Sequence, residues 1–514
     1  MSKLLRNYKD FSGGLSEVSN DNMDDNQLAL AINTVPGENH GIAKATGFDK
    51  AFPQIPGGKP VLEIVALKPE AGATQTLAFT SESLYKYDGA NWSSLVTGLS
   101  PIEDYFIHAK KLWWLDGVEF RCYDGLTVEV VTMKTAGETP TETEEELWQR
   151  IKTSSFVEQR GKRWFFARRG QSEVIVSDID DPTSFTTTNI INVNTPNADS
   201  ITALKEFDDG ILIFKQGSVH YLEGWDFAGG SDIKLTKLNV TSGTYFAKTV
   251  QMVENAVLYL GYNGVYRLRI PNLSTVLAAD CISENMISDL LAKNQTTRAN
   301  AVVWDNIYYL TVENEQGIKE YRYYTSLRSF FGEYTMPSYC YSVALEDSNL
   351  YLGCANGYIL KNNYDCYHYV DTSNGEYIPI AMKARTKGFD VTGTMVSDAK
   401  VKRVFVVAKQ YESATTRPDI VLRADYKANA YEMSFDESLV YGKGNWGETR
   451  WGFISTVTKE IPVHYKAKRL QVTISNNSID EPTLVYGIGV LYKQKRPRGN
   501  REGIEERAII YDED

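Results

Sequence analysis

The sequence predicts an all-β protein: a β-propeller of about seven blades, followed by a β-sandwich and preceded by an extended N-terminal arm. Three observations predict it. The 514 residues are skewed toward aromatics, with 32 Tyr, 20 Phe and 9 Trp, and strands accommodate such side chains better than helices do. A two-strand unit recurs seven times between about residues 60 and 370. Beyond Tyr377 that unit gives way to longer runs of alternating apolar and polar residues, the period of a half-buried strand.

In chain order, residues 1–58 are poor in regular strand patterns and rich in Gly, Asn and Asp, and are expected to form an arm. Residues 59–376 hold the repeats, which begin at Thr76, Lys111, Arg163, Gly210, Ala256, Asn306 and Asn349, 35–52 residues apart. Periods of roughly 40–50 residues with several strands each mark propeller blades. Asn263-Gly264 and Asn356-Gly357 supply the dipeptide that two-residue hairpin turns favour, where φ is positive at both central positions. Two insertions read as helices. In 139–151, early Glu residues precede Leu147, Trp148 and Ile151 at helical spacing; in 283–293, Ile287, Leu290 and Leu291 share a face. Strands at 378–389, 402–409, 419–426 and 468–475 make residues 377–492 a sandwich. Residues 493–514 open with Lys493, Lys495, Arg496, Arg498 and Arg501 and end on Asp512, Glu513 and Asp514, a charge-segregated tail suited to docking.

Lys plus Arg number 54 against 66 Asp plus Glu, a net charge of −12, which excludes the global basic surface that wraps nucleic acid. The first 14 residues lack an apolar signal-peptide region, and no run approaches the roughly 18 apolar residues of a membrane span. Cys122, Cys281, Cys340, Cys354 and Cys366 are odd in number and sparse, so no disulfide framework is expected and assembly in a reducing cytosol fits.

No catalytic motif is found: there is no G-x-S-x-G, Walker A or H-E-x-x-H, and His40, His108, His220, His368 and His464 are scattered. Neither enzyme activity, a cofactor nor a metal is expected. Cys354, Cys366 and His368 lie near one another but lack a fourth zinc ligand. Gly442, Gly444 and Gly447 spell a dinucleotide fingerprint without the helix that must follow it. Asp116, Asp178, Asp208 and Asp305 are carboxylates that a propeller channel could use as an acid/base pair, although Asp is also a turn residue. Asp21, Asp24 and Asp25 with Asn20, Asn22 and Asn26 offer oxygens to calcium, or cap a helix ahead of residues 28–32. Tyr321, Tyr323 and Tyr324, and Tyr364, Tyr367 and Tyr369, read as a sugar-stacking platform or as strand packing.

Four segments together resemble the tail-hub and tail-nozzle propeller proteins of short-tailed bacteriophages, the group of packaged-DNA stabilisation proteins. They are Asp10-Phe11-Ser12-Gly13-Gly14-Leu15 with Asp25-Asn26-Gln27, Asn33 and Lys44-Ala45-Thr46-Gly47-Phe48; Ser177-Asp178-Ile179-Asp180-Asp181-Pro182-Thr183-Ser184-Phe185; Gly210 to Lys215 leading through Ser218-Val219-His220-Tyr221-Leu222 to Gly224; and Gly243-Thr244 with Gly261-Tyr262-Asn263-Gly264-Val265-Tyr266. The resemblance implies a structural virion subunit assembled in the host bacterial cytoplasm. It further implies a homo-hexameric ring that extends the channel of a portal or adaptor and retains or conducts DNA without reading its sequence. An acidic lining would let a duplex slide, since like charge repels phosphate; acidity is equally the ordinary balance of a soluble protein. Subunit contacts are expected on Phe11, Ser12, Gly13, Gly14 and Leu15, on Leu147 and Trp148, and on Lys493, Lys495, Arg496, Arg498 and Arg501. The alternative from another class is a tail appendage whose propeller binds or cleaves glycan.

Overall fold

The computed structural model describes residues 3–134, 141–193, 199–224, 233–240, 242–269, 278–286, 298–314, 317–335, 340–343, 349–371, 375–392, 399–409, 418–425, 427–432 and 456–494. Alternating apolar residues bounded by turns give strands almost throughout. Seven four-stranded antiparallel sheets follow one another as blades. Blades 1 to 6 occupy 61–97, 104–130, 156–192, 201–237, 251–281 and 298–335, each from consecutive strands. Each repeat start read from the sequence falls within one residue of the second strand of a blade, so the repeated hairpin is the middle of the sheet.

Blade 7 is composite. Cys340–Val343, Leu350–Gly353 and Ile359–Asn363 supply three strands, and Gly47–Lys50 supplies the fourth, with Leu360 opposite Lys50 and Asn363 opposite Gly47. Blade 7 then packs on the first strand of blade 1, Val61–Leu67, closing the ring. Apolar side chains fill the seams between blades: Phe79 and Trp114 between 1 and 2, Phe166 and Trp164 between 2 and 3, Phe214 and Tyr259 between 4 and 5. Trp114 and Trp164 are fully buried, and burying side chains of this size contributes several kcal/mol each.

The first fifty residues depart from the expected arm. Leu4–Tyr8, Thr34–Pro36 and Ile42–Lys44 join Leu484–Gln494, Ala399–Lys409 and Thr456–Ala467 in a six-stranded sheet. Gly14–Leu15 and Gln27–Ile32 join Met382–Thr386, Arg469–Asn476, Asp419–Ala424, Lys427–Glu432 and Phe389–Asp390 in a seven-stranded one. The sandwich is therefore built from both ends of the chain rather than from 377–492 alone. Its core is continuous with blades 5 and 6: Phe11, Leu28, Val404 and Ile474 share one apolar cluster with Leu260, Tyr308 and Phe331. Residues 28–32 belong to a strand, not to a capped helix, because Leu28 and Ala31 are buried while the backbone pairs with Thr386 to Lys383.

The turns also differ in detail from expectation. Gly264 and Gly357 have positive φ (147° and 81°), but Asn263 and Asn356 do not; the 354–358 loop is instead a three-residue hairpin with Gly in the left-handed position, a bulged type that Asn-Gly serves equally well. Paired positive φ occurs at Ala109-Lys110 and Asp305-Asn306. The first predicted helix is present as α1, Glu142–Lys152, with a capping box between Thr141 and Glu144. The second lies largely outside the described residues, which retain only a short 3-10 turn at Glu284–Met286.

Candidate functional site

The candidate site is the central channel of the propeller. The first strand of each blade is an edge strand, and edge strands need charges or cover to avoid pairing with other chains. Here that edge lines a cavity of about 880 Å³ bounded by residues of blades 1 to 6. Its charged lining is Glu63, Glu103, Asp104, Glu158 and Glu206, against Lys205 and Lys248. Carboxylates therefore outnumber cations in the lumen.

Most of these acids are engaged. Lys248 meets Glu63 at 2.9 Å and Lys205 meets Glu158 at 3.3 Å. Arg160 donates to Glu206 at 2.7 Å and to Asp209 at 2.9 Å, and Arg169 pairs with Glu103 at 2.9 Å. Asp104 differs in using backbone donors: Val157 N–H of the next blade at 2.8 Å and Tyr105 N–H at 2.9 Å. It thereby ties blade 2 to blade 3. Burial pushes the Asp104 carboxyl up to about 7 despite those donors, and Glu158 is also raised by burial. The lumen is thus a set of paired charges with one carboxyl, Asp104, that can hold a proton near neutral pH.

The four carboxylates singled out from the sequence lie elsewhere. Asp116 accepts from Val118 and Glu119 N–H at a hairpin turn. Asp178 accepts from Ser184, Thr186 and Asn189, and Asp208 and Asp305 occupy positive-φ turn positions. All four serve local turns. Asp25 pairs with Arg6 and Lys387, and Asp21 with Arg469, so this acidic run clips the sandwich together. Tyr321 and Tyr323 are buried core residues, whereas Tyr364 is exposed. The Gly442, Gly444, Gly447 motif falls outside the described residues.

Several expected contact residues are used internally, which corrects their assignment to a docking face. Phe11 is fully buried and Leu15 nearly so; an added Cβ on Gly13 would meet the Asn26 side chain, and one on Gly14 the Phe330 carbonyl at 2.3 Å. The Ser12 carbonyl accepts from Ser329 of blade 6 at 2.8 Å. Leu147 is buried between blades 2 and 3, and Trp148 packs against Phe120 and Phe185 beside it. A neighbour could reach Phe11 or Leu147 only by opening the fold. Lys493 lies in the sandwich strand Leu484–Gln494, paired with Lys400, while Lys495, Arg496, Arg498 and Arg501 lie outside the described residues.

The sheet order and the channel define the class: a seven-bladed β-propeller joined to a β-sandwich. No protein-family model and no curated protein matches the chain. Among solved structures it is similar to PorZ of the Porphyromonas gingivalis type-IX secretion system, at 12% identity and TM-score 0.39, over 75% of this chain and 46% of that one. It is similar to the extracellular domain of a hybrid two component system of B. thetaiotaomicron, at 9% identity and TM-score 0.42, over 80% of this chain and 59% of that one. A third is the Pan2 WD40 domain of Neurospora crassa, at 10% identity and TM-score 0.35, over 66% of this chain and 96% of that one. The chain spans about half the length of the first two. The propeller assignment rests on the sheet order itself. Among the described residues no helix is long and apolar enough to cross a membrane.

Proposed function

We propose that the protein is a structural subunit of a short-tailed bacteriophage tail, a hub or nozzle component that works by assembly in a ring around DNA. One observation carries this reading: the N-terminal segment that resembles such virion proteins is the one that welds the two modules. Phe11 to Leu15 seat the sandwich on blade 6, Lys44 donates to Asn476 Oδ1 and the Ser478 carbonyl, and Gly47 and Phe48 close blade 7. Gly210 packs on the Tyr221 ring and Gly243 on the Lys215 carbonyl. A two-module block joined by its own N-terminal segment suits a subunit of a permanent ring.

In this reading the DNA conduit lies between copies. A propeller cavity of about 880 Å³ cannot admit a duplex whose major groove alone is about 12 Å wide. Portal or adaptor proteins would meet the ring at one end, and the basic stretch Lys493–Arg501 is the candidate for that contact.

The glycan-binding alternative is favoured by one feature, a cleft lined by Trp304, Tyr309, Tyr324 and Tyr364 with Asp305 and Asn362, since aromatic faces and planar polar groups suit sugars. Gold-antibody labelling of intact particles distinguishes the readings. Label at the single tail vertex is expected; label at fibre tips would favour the appendage, and unlabelled particles would overturn the virion role.

A further inference from the structure

We propose that Asp49, Cys366 and His368 form a zinc site that staples the closing strand of the propeller, in a place where the sequence alone offered too few ligands. Asp49 Oδ, Cys366 Sγ and a His368 ring nitrogen lie within 4.8 Å of one another. Zinc–sulfur, zinc–nitrogen and zinc–oxygen bonds of about 2.0–2.3 Å place donors about 3.3–3.8 Å apart in a tetrahedron, so zinc would enter by parting His368 Nε2 and Asp49 Oδ1, which touch at 2.8 Å, while Cys366 Sγ stays within 4.8 Å of both. The donors come from the fourth strand of blade 7 and from the segment that leaves that blade.

The surroundings orient each donor. His368 Nδ1 is held at 2.7 Å by Asp480, which turns Nε2 toward Asp49 Oδ1 at 2.8 Å; a carboxylate behind a ligating His is the usual support of a zinc-bound imidazole. Asp49 Oδ2 accepts from Asn363 at 2.6 Å, leaving Oδ1 facing the cluster. Cys366 is buried, and its thiol donates to the Asn363 carbonyl at 3.6 Å and the His368 carbonyl at 4.0 Å. Gly47 brings the backbones together, since a Cβ there would lie 1.8 Å from the His368 carbonyl.

One thiolate, one imidazole and one carboxylate favour zinc over magnesium or calcium, which take oxygen ligands. Burial pushes the Cys366 thiol up to about 11, so a bound cation is what would make it a thiolate at neutral pH. Ligation needs Cys366 as thiolate and His368 Nε2 without a proton, so metal uptake would release protons, and water would complete the fourth position. Asp480 belongs to the sandwich loop between Arg469–Asn476 and Leu484–Gln494, so the site links three parts of the chain.

The test is cobalt titration of the metal-stripped full chain, followed by absorption, beside metal analysis of the protein as purified. The expected result is one equivalent of zinc as purified, one of cobalt on titration, and a thiolate-to-cobalt charge-transfer band. That band should vanish in Cys366→Ala and persist in Cys354→Ala, and Asp480→Asn should weaken cobalt binding about 10–100-fold. Folding of the stripped wild type, checked by circular dichroism, keeps the titration interpretable if a variant misfolds. A folded wild-type chain that binds no stoichiometric metal, or a band that survives Cys366→Ala, would overturn the proposal and leave His368 bridging the Asp49 and Asp480 carboxylates alone.

Discussion

Blades 1 to 6 and the sandwich are both antiparallel β, yet they are built in opposite ways. Each of those blades uses strands consecutive in sequence, whereas the sandwich pairs residues 4–44 with residues 382–494. In the blades a hairpin can form before the ring closes. In the sandwich Leu4 must find Tyr492 and Leu28 must find Thr386, so loop-closure entropy is offset only late in folding. Blade 7 stands between the two regimes, because its last strand comes from Gly47–Lys50. The difference teaches that the N-terminal fifty residues are the closing element of both modules.

The largest expected effect is at that weld. Phe11→Ala removes a fully buried ring from the cluster shared by sandwich and blades and should cost about 3–5 kcal/mol. Denaturant titration followed by tryptophan fluorescence checks it, because Trp92, Trp113, Trp114, Trp164 and Trp304 lie in blades. An unmoved fluorescence midpoint would mean that the modules unfold separately. Gly47→Ala is expected to cost about 3 kcal/mol by forcing the closing strand off the His368 carbonyl, with blade 7 opening first under limited proteolysis.

Effects inside the propeller should be separable. The folded chain holds the Asp104 proton up to about pH 7, against 3.8 for an ordinary Asp. Protonation therefore favours the fold: this group's contribution to stability falls as pH rises from about 4 to 7 and is flat above. Asp104→Asn should remove that slope, which over about 3 pKa units is worth about 4 kcal/mol, and should be less stable than wild type at pH 4, because Asn keeps one acceptor oxygen for the Tyr105 and Val157 N–H donors, as thermal melts across pH would read. Thr141→Ala breaks the capping box of α1 and should cost about 1 kcal/mol, measured by the same melts at fixed pH.

What could be read from the sequence follows the same divide. Local alternation and turns located all seven hairpins, and Leu147 with Ile151 located α1, because these patterns depend on neighbours within a few residues. The role of residues 1–58 was not legible: Leu4–Tyr8 and Ile42–Lys44 are short strands that pair with Leu484–Gln494, more than 400 residues away. The channel was missed for a related reason. Glu63, Asp104, Glu158 and Glu206 each sit singly on a different inner strand, so only the ring brings them together. Asp49 and Asp480 likewise meet His368 through pairing across more than 100 residues. The one available signal was Cys366 and His368 two residues apart.

Hydrogen exchange on the intact chain tests the weld most directly. If Gly47–Lys50 closes blade 7, its ladder amides should be protected as strongly as those of Leu350–Gly353 in the middle of that blade. Exchange of Gly47–Lys50 within seconds, while Leu350–Gly353 stays protected, would contradict the account and return the N-terminal residues to an arm.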